Sequence, residues 1–311
     1  MTILVFGSLN MDLVVQVPRF LVAGETLTGN GFNQVPGGKG ANQAVAAARL
    51  GMATEIVGRV GADAFGSELL AGLQADGVEV SGVWVDDATH TGVALITVNS
   101  QGENTIVVIP GANGQVESTD VDRLHARLPH AQILMLQLEV PLESVISAAS
   151  AARQAGVMVV LDPAPAQTLP PDLYGLVDVI TPNQVEATHL TGLPVVDVAS
   201  AVQAGQQLRQ WGVGTAIVKL GAQGAVCVSA TTTLMIPALP VTAVDTVAAG
   251  DAFNGGLATA LAQGQSLPEA LQQATLVAGF SVTRAGAQPS LPTQEQLRAF
   301  AVTMKPTMHW L

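Results

Sequence analysis

The 311-residue chain is poor in charge: charged residues make up 12%, and 12 Lys+Arg stand against 24 Asp+Glu, a net charge of −12. Binding a phosphate backbone requires clustered Lys and Arg, so this balance excludes a nucleic-acid partner. Cysteine occurs once, at Cys227, which excludes an intrachain disulfide. No basic leader precedes the first apolar run, Thr2 to Phe6, so no export signal is read and the cytoplasm is the expected location. The mean hydropathy is +0.42. Even so, the longest uncharged stretch, Leu220 to Val244, is interrupted by Gly221, Gly224, Pro237 and Pro240. It reads as short strands with turns, not as a membrane span of about 20 apolar residues.

Several chemistries are absent as well. Gly38-Lys39 is followed by Gly40, so there is no P-loop, and no GxGxxG follows a strand. His90, His125, His130, His189 and His309 form no metal-ligand spacing. No GxSxG elbow is present to support serine hydrolysis.

What the chain has is 49% hydrophobic residues and 32 glycines, the composition of a packed core. Length alone allows two domains or one large α/β domain. Strand and helix patterns alternate: Thr2 to Phe6, then the helix Ala41 to Leu50 stopped by Gly51; Glu55 to Val57, then Asp63 to Ala75; Ile133 to Leu138, then Leu142 to Ala155. Val157 to Leu161, Val177 to Ile180, the helix through Leu190, Val202 to Trp211 and Ala216 to Lys219 continue it. This pattern predicts a mostly parallel sheet covered by helices. Leu13 to Val17 and Gly92 to Ile109 lack helices; the second is a hairpin around Asn99 to Asn104. Both are apolar on both faces and read as a small accessory sheet, for which a second copy of the chain is the simplest cover.

Five constellations could carry chemistry. In Asp245-Thr246-Val247-Ala248-Ala249-Gly250-Asp251, small residues lead into a helix. A helix start bare of side chains offers N–H donors to an anion. Asp251 in its first turn could take a proton from a hydroxyl, or simply complement the helix dipole. Gly37-Gly38-Lys39-Gly40-Ala41-Asn42 is a glycine loop that opens a helix; Lys39 and Asn42 could donate to hydroxyls, or Lys39 could face solvent. Asn10 and Asp12 follow the first strand, where Asp12 could accept two vicinal sugar hydroxyls and Asn10 bond another, or both could be ordinary turn residues. Asn183 with Glu186 suits a Mg²⁺–phosphate group, and equally a capping box. Lys219 to Gly224 is a strand–GxxG–strand turn, a nucleotide shelf or a plain β-turn, and Glu139 lies at another strand end.

Taken together, the segments GSLNMD, GGKGANQAVAAARLG, LQLEVPLESV, DPAPA, TPNxxE, DTVAAGDAFNG and VTRAGAQPS resemble the ribokinase-like carbohydrate kinase family over nearly the whole chain. The resemblance implies one domain over 1–311, a three-layer α/β sandwich with a mostly parallel central sheet. Lid strands at approximately 13–34 and 90–110 would form a small β-sheet that also makes a homodimer. It implies ATP-dependent phosphorylation of D-ribose at the 5-hydroxyl. Asp251 would be the base, and Ala249, Gly250 and Asp251 the backbone anion hole. Asn10, Asp12, Gly38, Lys39, Asn42 and Glu139 would bind the sugar. Asn183, Lys219, Gly221, Gly224, Gly250 and Thr275 would line the ATP site, with Thr275 where an aromatic or His would contact adenine more extensively. Glu186 would help hold Mg²⁺, directly or through water. Asp245, Val247, Ser281, Arg284, Gly286 and Ser290 would form a monovalent-cation site for K⁺. The alternatives are a kinase for deoxyribose, fructose or a nucleoside, and a non-catalytic sugar or nucleotide sensor. No aromatic cluster near Asp12 or Asn42 serves a nucleoside base. The tail from Met304 to Leu311 has no evident role.

Overall fold

The computed structural model describes residues 2–304 and 306–311. Among the described residues fourteen strands form two sheets. β1 (Thr2–Phe6), β4 (Ala53–Gly61), β5 (Val78–Asp86), β8 (Ala131–Leu136), β9 (Met158–Leu161), β10 (Val179–Ile180) and β11 (Thr215–Lys219) pair in parallel. β12 (Ala225–Val228), β13 (Thr233–Ile236) and β14 (His309–Trp310) extend that sheet antiparallel, in the order β14-β13-β12-β11-β10-β9-β8-β1-β4-β5. The second sheet joins β2 (Asn10–Gln16), β3 (Gly31–Gly37), β6 (Gly92–Val98) and β7 (Asn104–Ile109) in the order β3-β2-β6-β7.

The helices are α1 (Lys39–Arg49), α2 (Ala64–Ala75), α3 (Ser118–His125), α4 (Leu142–Gln154) and α5 (Pro171–Tyr174), followed by α6 (Gln184–Thr191) and α7 (Val198–Gln210). The last three are α8 (Ala249–Ala262), α9 (Leu267–Ser281) and α10 (Gln294–Thr303). Strand alternation divides most of them between two cores, while α6 and part of α7 pack on β11 and β12 in a third, smaller cluster. Ile3 and Val5 of β1 pack with α1, α8 and α9, while Leu4 and Phe6 point the other way, toward α4. Such strands read as continuous apolar runs because both faces are buried. The expected α/β sandwich with a separate small sheet is present.

Some elements were not expected from the sequence. β2 begins at Asn10, so Asn10 and Asp12 are strand residues and not turn residues. β3 contains Gly31 and Pro36 and survives as an edge strand, where a missing N–H is tolerated. The tail supplies β14: Trp310 pairs with Leu234, and the Leu311 N–H donates to the Thr233 carbonyl at 3.0 Å. Within the tail, Lys305 lies outside the described residues. Cys227 is fully buried in β12, and burial pushes its thiol up to about 12. Among the described residues no helix is long and apolar enough to cross a membrane.

Candidate active site

The site begins with two helices that pack unusually closely. A Cβ on Gly255 of α8 would stand 2.4 Å from the Ala46 Cβ of α1, so only glycine allows this approach. The contact sets Asn42 and Gln43 of α1 against Asp251 of α8. Asp251 is 3% exposed. Its Oδ2 accepts from Asn42 Nδ2 at 2.9 Å and its Oδ1 from Gln43 Nε2 at 3.1 Å. Burial pushes Asp251 up to about 6; Lys39 and the two amide bonds oppose the rise, and Asp162 adds to it.

α8 starts without a side-chain cap. Ala248 holds φ 58, the one non-glycine residue with positive φ among those described. The Ala249 N–H donates to the Thr246 carbonyl at 3.2 Å. The Gly250 and Asp251 N–H groups donate to nothing within the described residues, so they are the open donors. Ala249, expected as a third member of the anion hole, has its donor engaged.

Three glycines fold the start of α1 onto the segment Ser8 to Asp12. A Cβ on Gly37 would meet Asp12 Oδ2 at 2.4 Å, on Gly38 the Asn10 nitrogen at 2.7 Å, and on Gly40 the Ser8 nitrogen at 2.6 Å. Gly38 also has φ 88, a conformation that glycine adopts freely. Glu139 joins the group: its Oε2 accepts from Ser8 Oγ and from the Lys39 N–H, the latter at 3.1 Å. Asp12 is pushed up to about 7 by burial, then by Glu139 and Asp251, with Lys39 pulling the other way. Burial alone would lower Lys39, but Asp251, Asp162, Glu139 and Glu186 around it hold it above its usual range. The six residues expected at a sugar site thus lie together, with the Lys39 ammonium among the carboxylates of Asp12, Glu139, Asp251, Asp162 and Glu186.

Further residues support this cluster that sequence reasoning did not single out. Gln43 Nε2 also donates to Asp162 Oδ2 at 3.0 Å, and Gln137 Nε2 donates to Gln43 Oε1 at 2.7 Å. Lys219 Nζ pairs with Asp162 Oδ1 at 3.0 Å. A Cβ on Gly250 would stand 3.4 Å from Lys219 Nζ, so this ammonium adjoins the open N–H groups. Gln137 and Asp162 each follow a parallel strand, the edge at which open α/β sheets bind ligands, and that position was the available signal.

On the other side of Asp162, Asn183 and Glu186 do form a capping box. Asn183 Oδ1 accepts the Glu186 N–H at 2.9 Å, and the Glu186 carboxylate accepts the Asn183 N–H and Nδ2, each at 2.7 Å. Burial raises the Glu186 carboxyl, reinforced by Asp162 and opposed by Lys219. Among the described residues no cluster of three His, Cys, Asp or Glu could hold a metal by itself. Mg²⁺ suits a different arrangement, one carboxylate with waters and substrate phosphates, and Glu186 beside Lys219 fits that donor set. Gly221 and Gly224 bound the turn after β11; a Cβ on Gly224 would clash with the Ile236 carbonyl at 2.0 Å. Thr275 lies on the buried side of α9, and no hydrogen bond ties it to the Asp251 cluster.

The loop before α8 is stapled to the chain after α9. Asp245 accepts the Val247 N–H at 3.0 Å and the Gly286 N–H at 2.8 Å. Ser281 and Ser290 share a hydroxyl–hydroxyl bond of 2.7 Å. The Arg284 guanidinium stacks 3.6 Å over Phe280, away from any ion pair. The main-chain carbonyls of Asp245, Val247, Arg284 and Gly286 accept no hydrogen bond within the described residues. Unpaired carbonyl oxygens are hard, weakly charged donors, and they fit a monovalent cation.

Comparisons with known proteins give the family. A family model for the pfkB family carbohydrate kinase matches residues 2–294. The chain is 42% identical over 299 residues to a ribokinase of Haemophilus influenzae, covering 96% of this chain and 98% of that one. It is 38% identical over 301 residues to a deoxyribokinase of Salmonella typhi, covering 96% and 98%. The structure of an Arabidopsis thaliana ribokinase complexed with ribose and ATP matches with a TM-score of 0.89 at 32% identity, covering 96% and 97%. The chain belongs to the pfkB family of carbohydrate kinases.

Proposed function

We propose that the chain transfers the γ-phosphoryl group of ATP to the 5-hydroxyl of D-ribose in the cytoplasm. The observation that carries this reading is the convergence of Asp251, two open N–H groups and Lys39 with Asn10, Asp12, Asn42 and Glu139. The likeness to ribokinases over nearly the full chain selects the sugar.

In this reading Asp12 and Glu139 accept sugar hydroxyls, while Asn10, Lys39, Asn42 and the Gly38 backbone complete the pocket. Asp251 accepts the proton of the 5-hydroxyl as its oxygen bonds to the γ-phosphorus and the bond to the β–γ bridging oxygen breaks. ADP leaves, and Asp251 returns its proton to solvent. The Gly250 and Asp251 N–H groups stabilise the charge that develops on the transferred group, with Lys219 alongside. Asn183, Lys219, Gly221, Gly224, Gly250 and Thr275 line the nucleotide path. Mg²⁺ arriving with ATP would neutralise phosphate charge, with Glu186 reaching it through water. K⁺ held by the carbonyls around Asp245 would steady the loop that leads into the two donors.

The small sheet serves as the lid and, with a second copy, as the dimer face. By register Phe32, Leu95 and Val107 share one of its faces, and they are 58%, 45% and 60% exposed. Sedimentation of the wild type as a dimer, and of Val107→Asp as a monomer, checks this.

The deoxyribokinase likeness favours a second reading, in which 2-deoxyribose is the preferred acceptor. An ADP-release assay over a sugar panel with ATP, Mg²⁺ and K⁺ separates the two. We expect kcat/KM for ribose to exceed that for 2-deoxyribose by about tenfold or more, because a site built to bond a hydroxyl rejects an analogue lacking it. Equal values, or a preference for the deoxy sugar, would remove the ribose assignment.

A further inference from the structure

Asn113 belongs to none of the motifs read from the sequence as candidate chemistry, and it is 1% exposed. It sits in the short 3-10 turn Gly111–Gln115, just after β7. Its Oδ1 accepts the Leu9 N–H at 2.9 Å, and its Nδ2 donates to the Leu9 carbonyl at 2.9 Å. A main-chain N–H only donates and a main-chain carbonyl only accepts, so this pair permits a single orientation of the Asn113 amide. The same Nδ2 donates its second proton to Asn10 Oδ1 at 2.7 Å. Asn10 is oriented in turn. Its oxygen is committed to Asn113, and its Nδ2 bonds nothing among the described residues.

Gly92 completes the arrangement. It is the cross-strand neighbour of Asn10 in the parallel β2–β6 pair. A Cβ there would stand 2.2 Å from Asn10 Oδ1 and 2.2 Å from Asn113 Nδ2, so any side chain would drive the two amides apart. The starts of β2 and β6 and the turn after β7 therefore meet on one pair of amides.

We propose that Asn113 is a positioning residue that fixes the hydrogen-bonding polarity of the sugar site. Through Asn10 it presents an amide donor to one ring hydroxyl of the acceptor, and so sets the discrimination against sugars that lack that hydroxyl. This rests on the sugar-kinase reading above. A donor that cannot turn away is left unpaired when the hydroxyl is missing, and that penalty is the source of selectivity. An Asn10 free to rotate can find another partner, and the penalty falls.

The test measures kcat/KM for D-ribose, 2-deoxyribose and 3-deoxyribose in the wild type, Asn113→Leu, Asn113→Asp and Gly92→Ala. For Asn113→Leu we expect a loss of about 10- to 100-fold on ribose. The loss should be much smaller on whichever deoxy sugar lacks the hydroxyl that Asn10 reads, so the selectivity ratio collapses. Asn113→Asp keeps an acceptor for the Leu9 N–H but has no donor for Asn10. It is expected to give the same collapse, and it carries the test should Asn113→Leu not fold. Gly92→Ala should shift the ratio in the same direction. Equal losses on all three sugars in a folded variant would mean a purely structural Asn113 and would overturn the proposal, while the kinase reading stood. A wild type that phosphorylates none of the three would overturn the kinase reading and this inference with it.

Discussion

The N-termini of α6 and α8 are finished in opposite ways. At α6, Asn183 Oδ1 accepts the N–H of Glu186, the third helical residue, and the Glu186 carboxylate accepts the Asn183 N–H in return. At α8, the Ala248 methyl can accept nothing, so the N–H of Asp251, the equivalent third residue, stays open beside that of Gly250 above a buried carboxylate. A cap stabilises a helix by typically about 1 kcal/mol, and an uncapped start forgoes that stabilisation. α8 accepts a second local cost, since an alanine at φ 58 is strained by roughly 1 kcal/mol. The difference teaches that an anion-binding helix end has to be left unfinished by its own chain.

The sharpest way to break the comparison is Asp251→Asn. It can accept only one of the two amide donors and removes the proposed base, and kcat should fall by about 10³-fold or more while ATP still binds; rapid-quench turnover and nucleotide titration check both halves. Giving α8 a finish like that of α6 is next. Ala248→Asp places a carboxylate where the proposed mechanism puts the phosphoryl group, and should lower kcat by about 10²-fold with little change in Tm.

The pH profile sharpens the contrast further. In the proposed mechanism Asp251 and Asp12 both act ionised, and burial has raised them to about 6 and about 7. We expect kcat/KM for the sugar to fall as pH drops through about 7 and then 6, with the log slope approaching two; a flat profile down to pH 5 contradicts it. The stability effect has the opposite sign. A carboxyl raised in the folded state favours folding at low pH, and this contribution is lost as pH rises toward 7. Asp12→Asn should therefore stabilise the unliganded protein at pH 8, by about 1–4 kcal/mol in urea unfolding. The smallest effect belongs to a cap remote from the site. Thr293 accepts the Gln296 N–H at the start of α10, so Thr293→Ala should cost about 1 kcal/mol and leave kcat/KM unchanged.

The alternation that builds the main sheet is readable because β1, β8 and β11 are short apolar runs, and α1, α2 and α4 end on recognisable stops. Other elements hide for physical reasons. α9 is apolar round much of its circumference, which blurs its period, and β3 owes its existence to pairing with β2 and not to propensity. At the site, Asp251, Lys39 and Asn42 stand out because glycine and alanine clear space around them. Gln43, Gln137, Asp162 and Asn113 do not, since an amide or carboxylate gains its role from its partners. Those partners are far away in sequence: Gln43 meets Asp251 across 208 positions, and Asn113 meets Asn10 across 103. Burial makes such pairs matter, and burial has no local signature in the chain.

The solitary thiol of Cys227, sealed inside β12 and pushed up to about 12, has a practical consequence. Maleimides and other alkylating dyes require the thiolate and an open path, and neither exists there at neutral pH. The natural chain is thus a silent background for labelling. A cysteine placed at Gln101, exposed in the hairpin turn of the small sheet, would be the sole reactive handle, and a fluorophore on it could report the attitude of that sheet during a single turnover without any other residue being replaced.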